Sequence, residues 1–166
     1  MKKHKILIIG HARSGKDTLA DYFREQWGYT FKSSSMAAAE IFIYDELKEK
    51  YGYKSFGECF EDRVNRRAEW HDLIKEYNKF DKARLAKDIL KDSDGYCGMR
   101  SHEEIAECRR QSIFDLIIWV DAEGRVPDED KSSFDIDKIN ADIIIENKRG
   151  LLEFEAKVNH LANVLF

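Results

Sequence analysis

Nine residues near the amino end, Gly10-His11-Ala12-Arg13-Ser14-Gly15-Lys16-Asp17-Thr18, have the types and the spacing to hold a polyphosphate. They spell G-x-x-x-x-G-K. Two glycines let the main chain wrap closely around an anion, the amides of a following helix point at it, and Lys16 adds a compact positive charge. Gly10, Arg13, Ser14, Gly15, Lys16, Asp17 and Thr18 are therefore read as a site for ATP. Such loops usually carry Ser or Thr after the lysine to ligate Mg²⁺. Here that position is Asp17, followed by Thr18. Both are candidate metal residues, directly or through water, because magnesium takes oxygen ligands and keeps waters. The alternative for Asp17 is a plain electrostatic role in the first turn of a helix.

A bound triphosphate needs a second ligand to receive its terminal group. Phosphoryl transfer asks the protein mainly to align two substrates and to neutralise charge. Arginine suits the acceptor side, since its guanidinium fork grips phosphate in a bidentate way. Arg63, Arg66, Arg67, Arg100 and Arg125 are the candidates. Arg63 and Arg67 are four apart and would share a helix face, with Trp70 four beyond Arg66; the alternative is a solvated face paired to Glu61, Asp62 and Glu69. Lys16, Arg100 and Arg125 are the candidates for catalysis itself. Ser34 and Ser35 could touch base or sugar, or merely cap a helix. Tyr77 and Asn78 could stack and hydrogen-bond, or Asn78 could simply end a helix. The histidines, His11 included, show no ligand spacing.

The elements that must position these groups alternate strand and helix. The apolar run before the loop predicts a strand over Lys5–Ile9. Leu19, Phe23 and Trp27 recur at helical spacing, predicting a helix from Lys16 to about Gln26, closed by Gly28. A short strand is expected at Tyr29–Lys32 and a helix from Met36 to about Lys50. S-x-x-E boxes at Ser55–Glu58 and Ser101–Glu104 predict helix starts. The first opens a helix or helix pair reaching Tyr77; the second, a helix to about Gln111. Asp81 is an expected N-cap. Further strands are expected at Tyr96–Met99, Phe114–Val120 and Asp142–Glu146. Asp121–Asp135 reads as a polar loop or mobile flap. The last helix begins near Gly150 and carries Leu151, Phe154, Val158, Leu161 and Leu165 along one side. This order predicts an α/β fold with a parallel sheet covered on both faces and the site at the strands' carboxyl ends.

A chain of 166 residues predicts one domain, and 43% apolar with 36% charged residues is ordinary for a soluble protein. With 28 Lys plus Arg against 32 Asp plus Glu, the net charge of −4 gives no global pull toward nucleic acid. No signal peptide is expected, and no apolar run approaches the ~20 residues of a membrane span. Cys59, Cys97 and Cys108 lack metal or redox spacing and read as reduced, cytoplasmic packing thiols.

Three motifs make the chain resemble the phage-type deoxynucleoside monophosphate kinases, within the P-loop nucleoside monophosphate kinase superfamily. They are Arg13–Thr18 (RSGKDT), with its aspartate; Tyr96–Glu104 (YCGMRSHEE), a strand ending in arginine and then acids; and Ala141–Val158 (ADIIIENKRGLLEFEAKV). A weaker fourth is the arginine pair in Val64–Trp70. The resemblance covers both chain ends well and the middle loosely. It implies a P-loop NTPase fold with a five-stranded parallel sheet, order 2-3-1-4-5. It also implies a helical acceptor-binding insert at about 33–92, with Ser34, Ser35, Arg63, Arg66, Arg67 and Trp70 as substrate contacts, and a lid at about 121–137. The implied reaction moves the ATP γ-phosphoryl group, with Mg²⁺, to a deoxynucleotide 5′-phosphate in the cytoplasm, the host's if the chain is of phage origin. A homodimer is left open, and no membrane partner is expected. One departure stands out: Gly98 occupies the place of the acid in the family's D-x-R, so Asp17, Asp94 or Asp121 would have to replace it.

Two other readings compete. A related kinase could act on a hydroxymethylated pyrimidine within DNA, which the acidic balance disfavours. A GTPase-like switch or nucleotide sensor is the other. For it, Asn147-Lys148-Arg149-Gly150 lacks the aspartate of N-K-x-D, and Asp94–Gly98 is not D-x-x-G.

Overall fold

In the computed structural model, which describes residues 2–166, the run Ile6–Ile9 forms the centre of the sheet (β1). All four residues are wholly buried, as a strand covered on both faces requires. Successive side chains alternate between two cores: Leu7 and Ile9 join one, Ile6 and Ile8 the other. Around β1 lie Phe31–Ser33 (β2), Gly95–Cys97 (β3), Leu116–Asp121 (β4) and Ile143–Glu146 (β5). All pairs are parallel and the order is 2-3-1-4-5, as expected. Each strand lies within about two residues of its sequence-based place.

One face of the sheet is covered by the helix Lys16–Trp27 (α1) and the C-terminal helix Leu151–Leu165 (α8). Leu19 and Phe23 of the first, and Phe154, Val158 and Ala162 of the second, fill that core. Leu151, expected on the buried side of α8, is instead exposed, and Ala162 takes up the inward stripe. The opposite face is covered by helices between β2 and β3. Ser34–Ala38 (α2), a π-helical turn Ala39–Ile43 and Tyr44–Tyr51 (α3) form one run. It starts earlier than expected because Ser33 is the cap, its hydroxyl accepting from the Met36 amide at 3.2 Å. Phe56–Asp62 (α4), Arg67–Tyr77 (α5) and Arg84–Asp92 (α6) follow. His102–Arg110 (α7) links β3 to β4.

Three sequence expectations are corrected here. A 3₁₀ turn at Arg63–Asn65 separates α4 from α5, so Arg63 and Arg67 do not share a helix face. Ser101–Glu104 is not a capping box: the His102 amide donates to Asp135 at 2.6 Å, and Glu104 turns to Asn78. At Ser55–Glu58 only half a box forms, because Glu58 accepts from the Lys54 amide instead. Asp81 accepts from the Ala83 amide at 3.0 Å, so it caps the turn that leads into α6. The segment after β4 is tied down, with Phe134 and Ile136 buried in the core.

Candidate phosphate cradle and acceptor cavity

β1 delivers the chain into the glycine loop at its carboxyl end. Gly10 has φ +147°, and a Cβ there would meet the Val120 carbonyl at 2.7 Å and Ser14 Oγ at 2.9 Å. Gly15 caps α1 in the left-handed region at φ +106°, where a Cβ would overlap the Asn147 side-chain amide. Arg13 is also left-handed, at φ +60°, a conformation that non-glycine residues adopt mainly where the surroundings enforce it. Gly10→Ala should therefore destabilise the fold by about 1–3 kcal/mol, since the clash is with main chain that cannot move aside. Thermal unfolding of the variant checks this.

The loop is braced from outside. Arg125 donates through Nη2 to the carbonyls of Arg13 and Ser14, at 3.1 and 3.0 Å, and through Nε to the Asn147 carbonyl at 2.9 Å. Asn147 Nδ2 donates to the same Ser14 carbonyl at 2.8 Å. Arg125, expected to face a transferring phosphate, is thus placed on the loop's carbonyls. The Ser14 hydroxyl is buried without a partner among the described residues. A buried polar atom of this kind normally finds one.

Lys16 Nζ donates to the His11 carbonyl at 2.6 Å, so the loop's cation folds back over its own backbone. Burial lowers the Lys16 pKa, with Asp17 and Glu129 opposing the shift. Asp17 Oδ1 lies 3.7 Å from Cys97 Sγ at the end of β3, and burial together with Asp17 pushes that thiol up to about 12. All three cysteines are buried and unpaired.

One contact was not foreseen. Glu129 Oε2 accepts from the Ala12 amide of the loop at 2.8 Å, while Oε1 is paired with Arg100 Nη2. The Glu129 amide in turn donates to His11 Nδ1 at 3.1 Å. The His11 ring lies 4.6 Å from Phe134 and 5.5 Å, edge-on, from Trp119. His11 thus does more than lend its backbone. Burial opposes ionisation of Glu129, yet the Arg100 pair, the Ala12 amide and Lys16 hold its carboxyl below the usual range. Glu129 sits in the charge run Asp128–Lys131, where nothing in the spacing marks it.

Arg100 also opens onto a cavity of about 280 Å³. Its walls include Ser34, Asn78, Tyr96, Gly98, Glu104 and Phe134. Of the substrate contacts Ser34, Ser35, Arg63, Arg66, Arg67 and Trp70, only Ser34 reaches it, together with Asn78, weighed as a hydrogen-bonding residue. Ser35 lies at the Ser33 hydroxyl, 3.4 Å away. Arg63 donates to the Phe60 carbonyl and stacks on that ring, and Arg66 pairs with Asp62 at 3.0 Å while stacking on Tyr51. Arg67 is exposed, and Trp70 is a core residue at 5% exposure. The basic-aromatic grip expected of these four does not assemble, because the turn at 63–65 breaks the helix and the core takes the indole.

A Cβ on Gly98 would meet nothing within 4 Å, so the missing acid leaves open space. Asp94 cannot replace it: it precedes β3, at the opposite end of the sheet, and accepts from the Thr30 amide at 2.9 Å. Asp121 is at the correct end but is paired with Lys148 at 3.2 Å. The Asp17 carboxylate and Thr18 hydroxyl are oxygen donors in the first turn of α1, next to the loop. They suit Mg²⁺, which takes few protein ligands beside phosphate and water. Among the described residues no group of three or more His, Cys, Asp or Glu could hold a metal without such a ligand. Nor is any helix long and apolar enough to cross a membrane.

The same fold is found in solved structures. A shikimate kinase from Bacteroides thetaiotaomicron matches with a TM-score of 0.51 at 14% identity, over 99% of both chains. TT1252 from Thermus thermophilus matches with a TM-score of 0.55 at 16% identity, over 98% of both. No family model matches the sequence, and no curated protein matches it either. At such identities the likeness is one of fold.

Proposed function

We propose that the chain is an ATP-dependent phosphotransferase that moves the γ-phosphoryl group onto the phosphate of a (deoxy)nucleoside monophosphate. The observation that carries this reading is the double contact of Glu129. One carboxylate spans the Ala12 amide of the loop and the Arg100 guanidinium at the cavity. On this reading the anion sites of donor and acceptor would lie about one carboxylate apart, the arrangement an in-line transfer needs. The cavity, about 280 Å³, lies near the lower edge of the range for small-molecule sites, about 300 Å³. That favours a free nucleotide over a polymer as acceptor.

In this reading the loop amides and Lys16 bind the β- and γ-phosphates, and Gly10 and Gly15 allow their close approach. Arg125 and Asn147 hold the loop carbonyls outward so that its amides stay available. Arg100, freed from Glu129, grips the acceptor phosphate. Asp17 and Thr18 would hold Mg²⁺, which supplies charge neutralisation at the phosphates. Within the segment 121–137, anchored by Phe134 and Ile136, the stretch that carries Glu129 would act as a lid.

Glu129 must leave the Ala12 amide when phosphate arrives, since two anions cannot share it. Glu129→Gln should therefore bind a non-hydrolysable ATP analogue about tenfold more tightly, the equivalent of ~1.4 kcal/mol for one charged hydrogen bond no longer displaced. Calorimetric titration reads this directly. Equal or weaker binding would mean that Glu129 helps to hold the nucleotide rather than competing with it.

The function itself is tested by incubating γ-labelled ATP and Mg²⁺ with every common mononucleotide, with shikimate, and with duplex DNA containing hydroxymethylated pyrimidine. Label on a nucleoside diphosphate supports the proposal. Label on either of the other two acceptors, or tight ATP binding with no transfer, replaces it.

A further inference from the structure

The acceptor cavity is lined by charged groups, Lys75, Lys82, Arg100, Glu104 and Lys131 among them, and by apolar ones. Glu104 lies in the first turn of α7, which starts two residues after Arg100. Its Oε1 accepts from Asn78 Nδ2 at 2.9 Å. Asn78 is itself locked, because its Oδ1 accepts from the Leu85 amide at 3.0 Å and the residue is only 2% exposed. The amide thus cannot rotate, and it fixes the plane of the Glu104 carboxyl. Glu104 Oε2 has no hydrogen-bond partner among the described residues, and the side chain lines the cavity. Ile74, Tyr96 and Phe134 supply apolar wall around it.

A ligand that matches such a wall has flat apolar faces and a polar edge. A nucleobase has both; a compact hydroxy acid lacks the flat apolar faces. We propose that Glu104, held by Asn78, is the specificity residue for the acceptor, hydrogen-bonding the edge of a base that presents one donor beside one acceptor. Each common base has such an edge: cytosine N4–H beside N3, adenine N6–H beside N1, thymine and uracil N3–H beside a carbonyl, and guanine N1–H beside O6. Burial, outweighing the bond from Asn78, pushes the Glu104 carboxyl up to about 7. Near neutrality it can therefore present an O–H donor beside a C=O acceptor. This assignment rests on the proposed mononucleotide acceptor and adds what the protein reads on it.

Two variants test it. Leucine at position 104 removes both polar atoms, whereas glutamine keeps one donor beside one acceptor permanently. Wild type, Glu104→Leu and Glu104→Gln are titrated calorimetrically with dCMP, dTMP, dAMP, dGMP and deoxyribose 5-phosphate, with thermal melts to confirm folding. Wild type is expected to bind at least one of the four mononucleotides about tenfold or more tighter than the base-free sugar phosphate. Glu104→Leu should cut that advantage to about threefold or less with the sugar phosphate bound as before, and Glu104→Gln should keep it. An unchanged preference in Glu104→Leu, or an equal loss for the sugar phosphate, overturns the inference while the proposed transfer stands. Failure of wild type to bind any mononucleotide overturns both.

Discussion

Replacing Lys16 with alanine is expected to lower phosphoryl transfer by about 10³-fold, the upper range for removing one preorganised donor from a site of developing charge. The ammonium group lies at the mouth of the loop and makes one protein hydrogen bond, to the His11 carbonyl. Little of the fold depends on it. The loop is held by Arg125, Asn147 and the glycines, none of which the change touches. Transfer should thus fall while the melting temperature stays within about 4 °C of wild type, the shift that ~1 kcal/mol gives in a chain of this size. Turnover measured with saturating acceptor, beside a thermal scan, checks both halves. Unchanged turnover would remove the loop from the chemistry.

Arg100→Ala should cost about 10²-fold or more in kcat or in acceptor affinity. The guanidinium is the positive group shared by the loop-side anion and the cavity. Arg100→Lys should recover only part of the loss, because a lysine cannot offer the planar fork that binds phosphate in two places. The change also frees Glu129 from its ion pair, so nucleotide affinity should respond separately. Measuring kcat, acceptor KM and ATP-analogue affinity in one series separates these effects. Wild-type kinetics in Arg100→Ala would leave Arg100 as a structural partner of Glu129 and the Ser133 carbonyl.

Local patterns were legible wherever neighbouring residues decide the outcome. The run Ile6–Ile9, bounded by a lysine and a glycine, read as a buried strand. Leu19 and Phe23 marked the inner face of α1, and Gly28 its end in the left-handed region. The glycine loop was readable because its chemistry lies within nine consecutive residues. Sheet order needed the family resemblance, since periodicity says which residues are buried and not which strands are neighbours.

What escaped was the pairing of groups far apart in the chain. Glu129 meets Ala12 and Arg100 across 117 and 29 residues, and Asn147 meets Ser14 across 133. Each is an ordinary polar residue in a polar loop, with no spacing to distinguish it. The shared helix face of the arginines at 63, 66 and 67 was misread for the opposite reason. Their helical spacing was read as continuous, yet the chain turns at 63–65, and local partners such as Asp62 and the Phe60 carbonyl claim them. Glu104 fitted a capping pattern, but Asp135, 33 residues from His102, supplies that cap and leaves Glu104 to the cavity.

The most direct measurement is a crystal structure with a non-hydrolysable ATP analogue and Mg²⁺. The triphosphate should lie in the loop Gly10–Thr18, with Lys16 turned from the His11 carbonyl to the phosphates and Glu129 displaced from the Ala12 amide. A nucleotide bound elsewhere, with Glu129 still seated on that amide, would contradict the account.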